Sequence, residues 1–209
     1  MAIRNNVKAA TLVGFVAVTV SFAMAAAAQT DQPAKSQALL ASAQSWSEGT
    51  GAYFPNVVLQ TQDGARVHFF DDLVKGKVVV INFMFTSCKT FCSRATANLV
   101  KVEEALGDHL GRDVRMISLT VDPAIDTPEV LKKYSVRYGT KPGWYFVTGS
   151  QKDIDAIRKR LGAFGDGGDK EAHTGMLVYG NERFGQWESM PALARPKTIV
   201  TSIVALLAR

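Results

Sequence analysis

An almost wholly apolar run, VVVINFMF, occupies residues 78–85. Apolar, β-branched residues that do not alternate with polar ones are typical of a strand buried on both faces. After Cys92 the apolar residues recur at the spacing of one helix face. They are Ala95, Leu99, Val102, Leu106 and Leu110. The pattern predicts a central strand, a short connection and a helix.

Similar patterns predict further strands. The runs at 57–60 and 65–69 flank Gln62-Asp63-Gly64, which is a strong signal for a β-hairpin. Residues 114–121 and 144–148 are expected to be buried strands. A last hairpin is predicted over 175–187, with its turn at Gly180-Asn181.

Residues typical of helix N-termini recur in the second half of the chain. Asp126 or Thr127 is expected to cap a helix that has Pro128 in its first turn. Ser150 begins a second helix, and Pro196 begins the last one. The predicted order is β-hairpin, β, α, β, α, β, α, β-hairpin, α. This order predicts an α/β, thioredoxin-like fold with an N-terminal β-hairpin and flanking helices.

The first 51 residues are predicted to lie outside this domain. Residues 1–28 have a positive start, an apolar stretch and Ala26-Ala27-Ala28, as in an export signal. The alternative is an uncleaved anchor over residues 9–28, which has about the 20 residues that a membrane span needs. Residues 29–51 are a polar linker, and 52–209 the domain. Either reading predicts an extracytoplasmic location, the periplasm.

Composition excludes one function class. The chain has 209 residues, 47% of them apolar, which fits a single domain with a proper core. Its formal charge of +5 is spread along the sequence, without the Lys/Arg cluster of a nucleic-acid binder. We therefore expect no nucleic-acid partner, and a membrane contact only if the N-terminal segment is retained.

The two cysteines of the protein, Cys88 and Cys92, follow the central strand. Open α/β folds bind ligands at this edge of the sheet. Cys92 falls near the first turn of the helix, where free N–H groups favour a thiolate, and Lys89 and Arg94 add positive charge. Such a pair can hold one metal ion or close a reducible bridge. A structural disulfide is less favoured, because so small a loop gains little stability from closure.

His173 follows the glycine-rich loop at 164–170. Taken alone, it is typical of a structural or surface residue. In a thioredoxin-like plan, however, the loop before the last strand pair packs against the cysteine-bearing helix start, so His173 can approach both cysteines. Two histidines and three methionines are interpreted instead as surface or core residues, with a soft-ligand role for the methionines as the alternative. They are His68, His109, Met84, Met176 and Met190.

Over residues 52–207 the sequence resembles the Sco/SenC family of thioredoxin-like copper-binding proteins. The resemblance rests on Cys88-x-x-x-Cys92, on the late His173 and on several short segments. These segments are Asn82-Phe83, Phe85-Thr86-Ser87-Cys88, Ser118-Leu119-Thr120-Val121-Asp122-Pro123, Asp126-Thr127-Pro128, Tyr134 and Thr148-Gly149.

The resemblance implies a copper site made by Cys88, Cys92 and His173. It also implies a role in building the dinuclear copper centre of cytochrome c oxidase, as a copper chaperone for subunit II or as a thiol reductase of the oxidase's cysteines. Other copper carriers or thiol reductases are further implied partners. Two thiolates suit Cu(I), and an imidazole lets the site hold Cu(II) as well. Asp122 and Asp126 are implied to support the ligands, or else to set the turn and cap the helix.

Two departures from the family pattern keep a second function open. Lys89 and Ser93 stand where members commonly have proline, and His173 lies between Ala172 and Thr174 instead of aspartate and serine. The alternative is a periplasmic thiol–disulfide oxidoreductase or redox sensor that uses the cysteine pair as catalytic residues. The chaperone would instead act by ligand exchange, without turning over a substrate. A peroxiredoxin-like peroxidase fits poorly, because Thr86 precedes Cys88 by two positions and peroxiredoxins place this threonine three before.

Overall fold

The computed structural model describes residues 53–163 and 175–208. Within them, seven strands form one sheet in the order β2-β1-β5-β4-β3-β6-β7. The strands are β1 (Val58–Thr61), β2 (Arg66–His68), β3 (Val78–Met84), β4 (Val114–Thr120), β5 (Trp144–Thr148), β6 (Met176–Asn181) and β7 (Gln186–Pro191). The helices are α1 (Cys92–Leu106), α2 (Pro128–Tyr138), α3 (Gln151–Arg160) and α4 (Pro196–Ala205).

Several predicted features lie outside the described residues. They are the export signal at 1–28, the linker at 29–51, the glycine-rich loop at 164–170 and His173. In the part of the chain that is described, no helix has both the length and the apolar character needed to cross a membrane.

β3 lies in the interior of the sheet, between β4 and β6, and all seven of its residues are buried. It runs parallel to β4, which in turn runs parallel to β5. On its other side β3 pairs antiparallel with β6, with Asn82 opposite Leu177. This mixed pairing brings the start of β6 to the same sheet edge as the end of β3. The prediction that this strand is buried is confirmed.

The helices begin where the sequence indicated. α1 starts at Cys92 and buries the predicted face, although it ends at Leu106, before Leu110. It packs against α4 and, more lightly, against α2. At the start of α2, the side chain of Thr127 accepts a hydrogen bond from the N–H of Val130. Thr127, and not Asp126, is therefore the cap.

A hydrogen-bond chain crosses the buried centre of the sheet. The indole N–H of Trp144 on β5 donates to Ser118 Oγ on β4 at 2.9 Å, and this hydroxyl donates to Asn82 Oδ1 on β3 at 2.7 Å. The three side chains are buried. Because an unpaired polar group costs stability inside a core, this chain fixes the three central strands side by side.

The expectation that Phe69 ends a strand was wrong. Phe69 begins a π-helical turn, Phe69–Val74, which buries four of its six residues. The side-chain oxygen of Asn56 accepts the N–H groups of Phe70 and Asp71 at 3.1 Å. These contacts hold the turn in place of a longer strand β2.

The last hairpin also turns later than predicted. Gly180 and Asn181 remain in β6, and the turn is the short helix Glu182–Phe184 followed by Gly185 with φ of +60°. Asn181 Oδ1 accepts the N–H of Arg183 at 3.1 Å and so starts that turn. Gly180 serves close packing instead, because a Cβ there would lie 2.3 Å from the carbonyl oxygen of Gln186.

Candidate functional site

Both cysteines lie just beyond the carboxyl end of β3. Cys88 lies in the connecting loop, and Cys92 is the first residue of α1. In the structure the two thiols are not joined by a disulfide, and both are buried, with 6% and 2% of their surface exposed. They form a pair of neighbouring thiols at the end of this strand.

A tight turn presents the sulfur of Cys88 to the helix. The N–H of Cys88 donates to the carbonyl of Phe85 at 3.3 Å, which closes a four-residue turn. The N–H of Cys92 donates to Cys88 Sγ at 3.3 Å. The hydroxyl of Thr90 lies 3.9 Å from the same sulfur. The N–H of the first residue of α1 thus points at Cys88 Sγ.

These donors change the acidity of the thiol. Burial alone raises the pKa of Cys88, but the hydrogen bonds from Cys92 and from the N–H groups of Thr90 and Phe91 outweigh it and lower the pKa to about 7. Hydrogen bonds to a charged form stabilise that form. The sequence predicted the anion-favouring position at Cys92, whereas the structure aims the donors at Cys88. Near neutral pH Cys88 is therefore a ready nucleophile and metal ligand.

A buried carboxylate anchors the start of the same loop. Asp126 has no exposed surface. Its oxygens accept the N–H of Thr86 at 3.1 Å, the hydroxyl of Thr86 at 2.5 Å and the hydroxyl of Thr120 at 2.5 Å. The sequence named Asp126 but missed both threonines as its partners. Asp122 lies half-buried on the loop that leads to Asp126.

An aromatic wall borders Cys92. The hydroxyl of Tyr134, on α2, lies 2.9 Å from that of Thr96, one helical turn beyond Cys92. The ring of Tyr138 is 4.8 Å from that of Tyr134. Burial raises the pKa of Tyr134, and the nearby Cys92 contributes in the same direction. Tyr134 therefore keeps its proton and can act only as a neutral neighbour of the sulfur.

Gly175, the residue before β6, lies against this site at an aromatic ring. A Cβ on Gly175 would lie 2.9 Å from the ring of Phe91, the residue before Cys92. Gly175 has φ of +59°, which glycine adopts without strain. Apart from the glycine itself, no sequence pattern indicated this contact. His173, two residues upstream, lies outside the described residues.

The other candidates are exposed, lie beside a carboxylate, or pack in or against the core. Lys89 and Arg94 are exposed. Met84 is in the core, and Met190 is partly buried against it. His68 and His109 lie beside Asp72 and Asp113, at 3.4 and 2.9 Å. Across residues 53–163 and 175–208, no three His, Cys, Asp or Glu side chains form a metal-binding group.

Comparison with known proteins gives a consistent result. A model of the SCO1/SenC family matches residues 50–207. The SCO1 protein homolog of Bacillus subtilis is 39% identical over 98 residues, which are 46% of this chain and 49% of that protein. A SCO2-like protein of Rickettsia felis is 31% identical over 96 residues, 46% and 45% of the two chains. The match therefore spans about half the length of these curated relatives.

Solved structures share the fold. A SCO1/SenC family lipoprotein from Bacillus anthracis is 26% identical, with a TM-score of 0.63, over 74% of this chain and 94% of its own. BsSco, described with a disulfide switch as a member of the Sco family of cytochrome c oxidase assembly proteins, is 27% identical, with a TM-score of 0.60, over 73% and 91%. Yeast Sco1 with copper bound is 24% identical, with a TM-score of 0.59, over 72% and 89%. The predicted α/β, thioredoxin-like fold is confirmed.

Proposed function

The chain belongs to the SCO1/SenC family, and from this premise we propose that it binds one copper ion through Cys88, Cys92 and His173. The copper is cargo for assembly of the dinuclear copper centre of cytochrome c oxidase, whose subunit II is the receiving partner. The observation that carries the proposal is the pair of free, buried sulfurs at the carboxyl end of β3. Two thiolates select Cu(I), and an imidazole nitrogen extends the site to Cu(II).

The donor set fits a soft metal ion. A metal-binding thiol must first lose its proton, and Cys88, with a pKa of about 7, does so at little cost near neutral pH. The N–H of Cys92 already holds Cys88 Sγ at 3.3 Å, so this sulfur is oriented before the metal arrives. Two thiolates and Cu(I) leave one net negative charge, which the exposed Lys89 offsets.

The third ligand is within reach by chain length. Gly175 packs on the ring of Phe91, next to Cys92. His173 is two residues before Gly175, and two residues extend by at most about 7 Å. The antiparallel pairing of β6 with β3 explains why this part of the chain starts at the cysteine edge. These facts support His173 as the ligand that completes the site.

The relatives support copper as the cargo. A protein of Stutzerimonas stutzeri that is 28% identical over 94 residues is described as a putative copper-binding protein. Copper has been found in the Sco structures of yeast and Arabidopsis thaliana, which share the fold. We extend this cargo to the present chain, with the periplasm as its location and residues 1–28 as its export signal or, over 9–28, its membrane anchor.

A second candidate function is a thiol–disulfide oxidoreductase, which the lowered pKa of Cys88 favours. The Cys88 thiolate would attack a partner disulfide, form a mixed disulfide and release one partner thiolate. The Cys92 thiol would then attack Cys88, release the second partner thiolate with loss of its own proton, and leave a Cys88–Cys92 disulfide. The disulfide switch described for BsSco supports this alternative.

Anaerobic copper titration of the full chain separates the two functions. We expect His173→Ala to abolish Cu(II) binding and to remove most of the Cu(I) affinity while disulfide cycling continues. His109→Ala is the matched control, because His109 lies beside Asp113 on a turn away from the cysteines. Equal copper affinity in the wild type and the His173 variant would reject the three-ligand site and leave the dithiol function.

A further inference from the structure

Asp126 is a fully buried acid whose donors are neutral hydroxyl and amide groups of Thr86 and Thr120. Burying a carboxylate is costly unless several hydrogen bonds satisfy it. A carboxylate that is buried and hydrogen-bonded in this way holds its donors in one arrangement.

Helix capping does not explain this carboxylate. The N–H of Val130 is accepted by Thr127, which fills the cap position of α2. The donors to Asp126 come instead from the end of β4, through Thr120, and from the loop after β3, through Thr86. Asp126 therefore joins three segments at the cysteine edge of the sheet.

The constraint passes directly to Cys88. Thr86 is the second residue of the turn closed by the N–H of Cys88 on the carbonyl of Phe85. Asp126 accepts hydrogen bonds from both the backbone N–H and the hydroxyl of Thr86, so it fixes the orientation of this turn. This turn then places Cys88 Sγ at 3.3 Å from the backbone nitrogen of Cys92, whose N–H donates to it.

We propose that Asp126 is a positioning residue that, through Thr86, holds the Cys88 loop in its dithiol geometry and so opposes disulfide closure. The inference rests on the proposed function only in taking Cys88 and Cys92 as the working sulfurs. A disulfide needs the two Cβ atoms about 3.5–4.5 Å apart and a defined torsion about the S–S bond. In the structure Cys88 Sγ instead accepts the N–H of Cys92, without a bond to the second sulfur, and the contacts of Asp126 with Thr86 resist a change of this arrangement.

The test is the equilibrium of the metal-free full chain, with a copper chelator present, against glutathione. In this reaction the two protein thiols and one glutathione disulfide give the Cys88–Cys92 disulfide and two glutathione thiols. Two electrons and two protons pass to glutathione. We expect Asp126→Asn to shift the equilibrium toward the protein disulfide by about tenfold, which is about 30 mV for a two-electron couple.

Conservative variants separate positioning from general damage. Thr86→Ser keeps the hydroxyl and the N–H, and it should match the wild type. Thr86→Val loses only the hydroxyl, and it should shift the equilibrium in the same direction by a smaller factor. When Thr86→Val is combined with Asp126→Asn, the equilibrium should shift little further, because the two residues share one contact. Asp108→Asn, at an exposed position in the turn after α1, is the matched control.

An unchanged equilibrium, or a shift toward the dithiol, in a folded Asp126→Asn protein would overturn the inference. If that variant does not fold, an unchanged Thr86→Val protein would overturn it equally. Since no copper takes part, failure of the copper site in the His173→Ala titration leaves this result intact.

Discussion

The hydrogen bonds around Cys88 predict an unusually acidic thiol that can be titrated by its reaction with iodoacetamide. The measurement uses the metal-free Cys92→Ser variant of the full chain, so that one thiol reacts. Serine keeps the backbone N–H that donates to Cys88 Sγ and supplies a hydroxyl in place of the second thiol. The alkylation rate should rise with pH and reach half its plateau near the Cys88 pKa of about 7.

The expected rates follow from this pKa and from the ordinary value of 9.0. At pH 7 about half of Cys88 is thiolate, against about 1% of an ordinary thiol, which is roughly a 50-fold difference. Nucleophilicity falls with pKa at a Brønsted slope of about 0.4–0.5, which removes roughly tenfold of that gain. Cys88 should therefore react about fivefold faster than an ordinary thiol at neutral pH. At alkaline pH, where both thiols are ionised, it should react about tenfold more slowly.

The same shift links folding to pH. The pKa of Cys88 is lower in the folded protein than in the unfolded chain, so the thiolate stabilises the fold. The contribution is at most about 2–3 kcal/mol, is fully present above about pH 9, and is lost as the pH falls to about 7. Urea unfolding of the Cys92→Ser protein across this range measures it, with the Cys88→Ser, Cys92→Ser double variant as the reference.

The denatured Cys92→Ser protein is the control for the alkylation measurement, because its thiol should titrate near the ordinary value. If the folded protein also titrated near pH 9, the donors of α1 would not stabilise the Cys88 thiolate. The loop geometry would then not control the acidity of Cys88.

Two further substitutions test how the site is held. Gly175→Ala should lower the free energy of unfolding in urea by about 1–3 kcal/mol more than Gly64→Ala does. Both substitutions place a side chain at positive φ, but only the one at Gly175 meets a ring, that of Phe91. Equal losses of stability would contradict this contact. Thr127→Ala should destabilise the protein by about 1 kcal/mol through loss of the cap on the N–H of Val130, and an unchanged urea midpoint would contradict this assignment.

Long and strongly patterned segments could be predicted from sequence. β5 has its predicted bounds, and α1 begins at Cys92 with the expected buried face. β3 carries enough adjacent apolar residues for its burial to be unambiguous. In such segments the pattern of apolar residues along the chain matches the surface that is buried, so local pattern and tertiary structure agree.

Shorter segments depended on contacts that no local pattern encodes. Phe69 continues an alternating run, yet Asn56 holds it and its neighbours in a π-helical turn. The final turn moved beyond Gly180 because this glycine is needed where β6 and β7 approach closely. Propensity at one or two residues does not outweigh such contacts.

The candidate site was predictable in position but not in detail. The end of a buried strand and the start of a helix locate Cys88 and Cys92 at one sheet edge. Which sulfur receives the helix donors depends on the loop conformation between them. That conformation depends in turn on Asp126, forty residues away from Thr86 in the sequence. Such a partnership becomes visible only in three dimensions.

The two outer strands of the sheet bear on how the protein behaves at high concentration. Within the described residues the sheet ends in β2, which has only three residues, and in β7, which finishes at Pro191. Proline offers no N–H for an incoming strand, and a three-residue edge is too short to template one. Both outer strands are therefore poor templates for cross-β association between molecules, and we expect the protein to resist fibril formation.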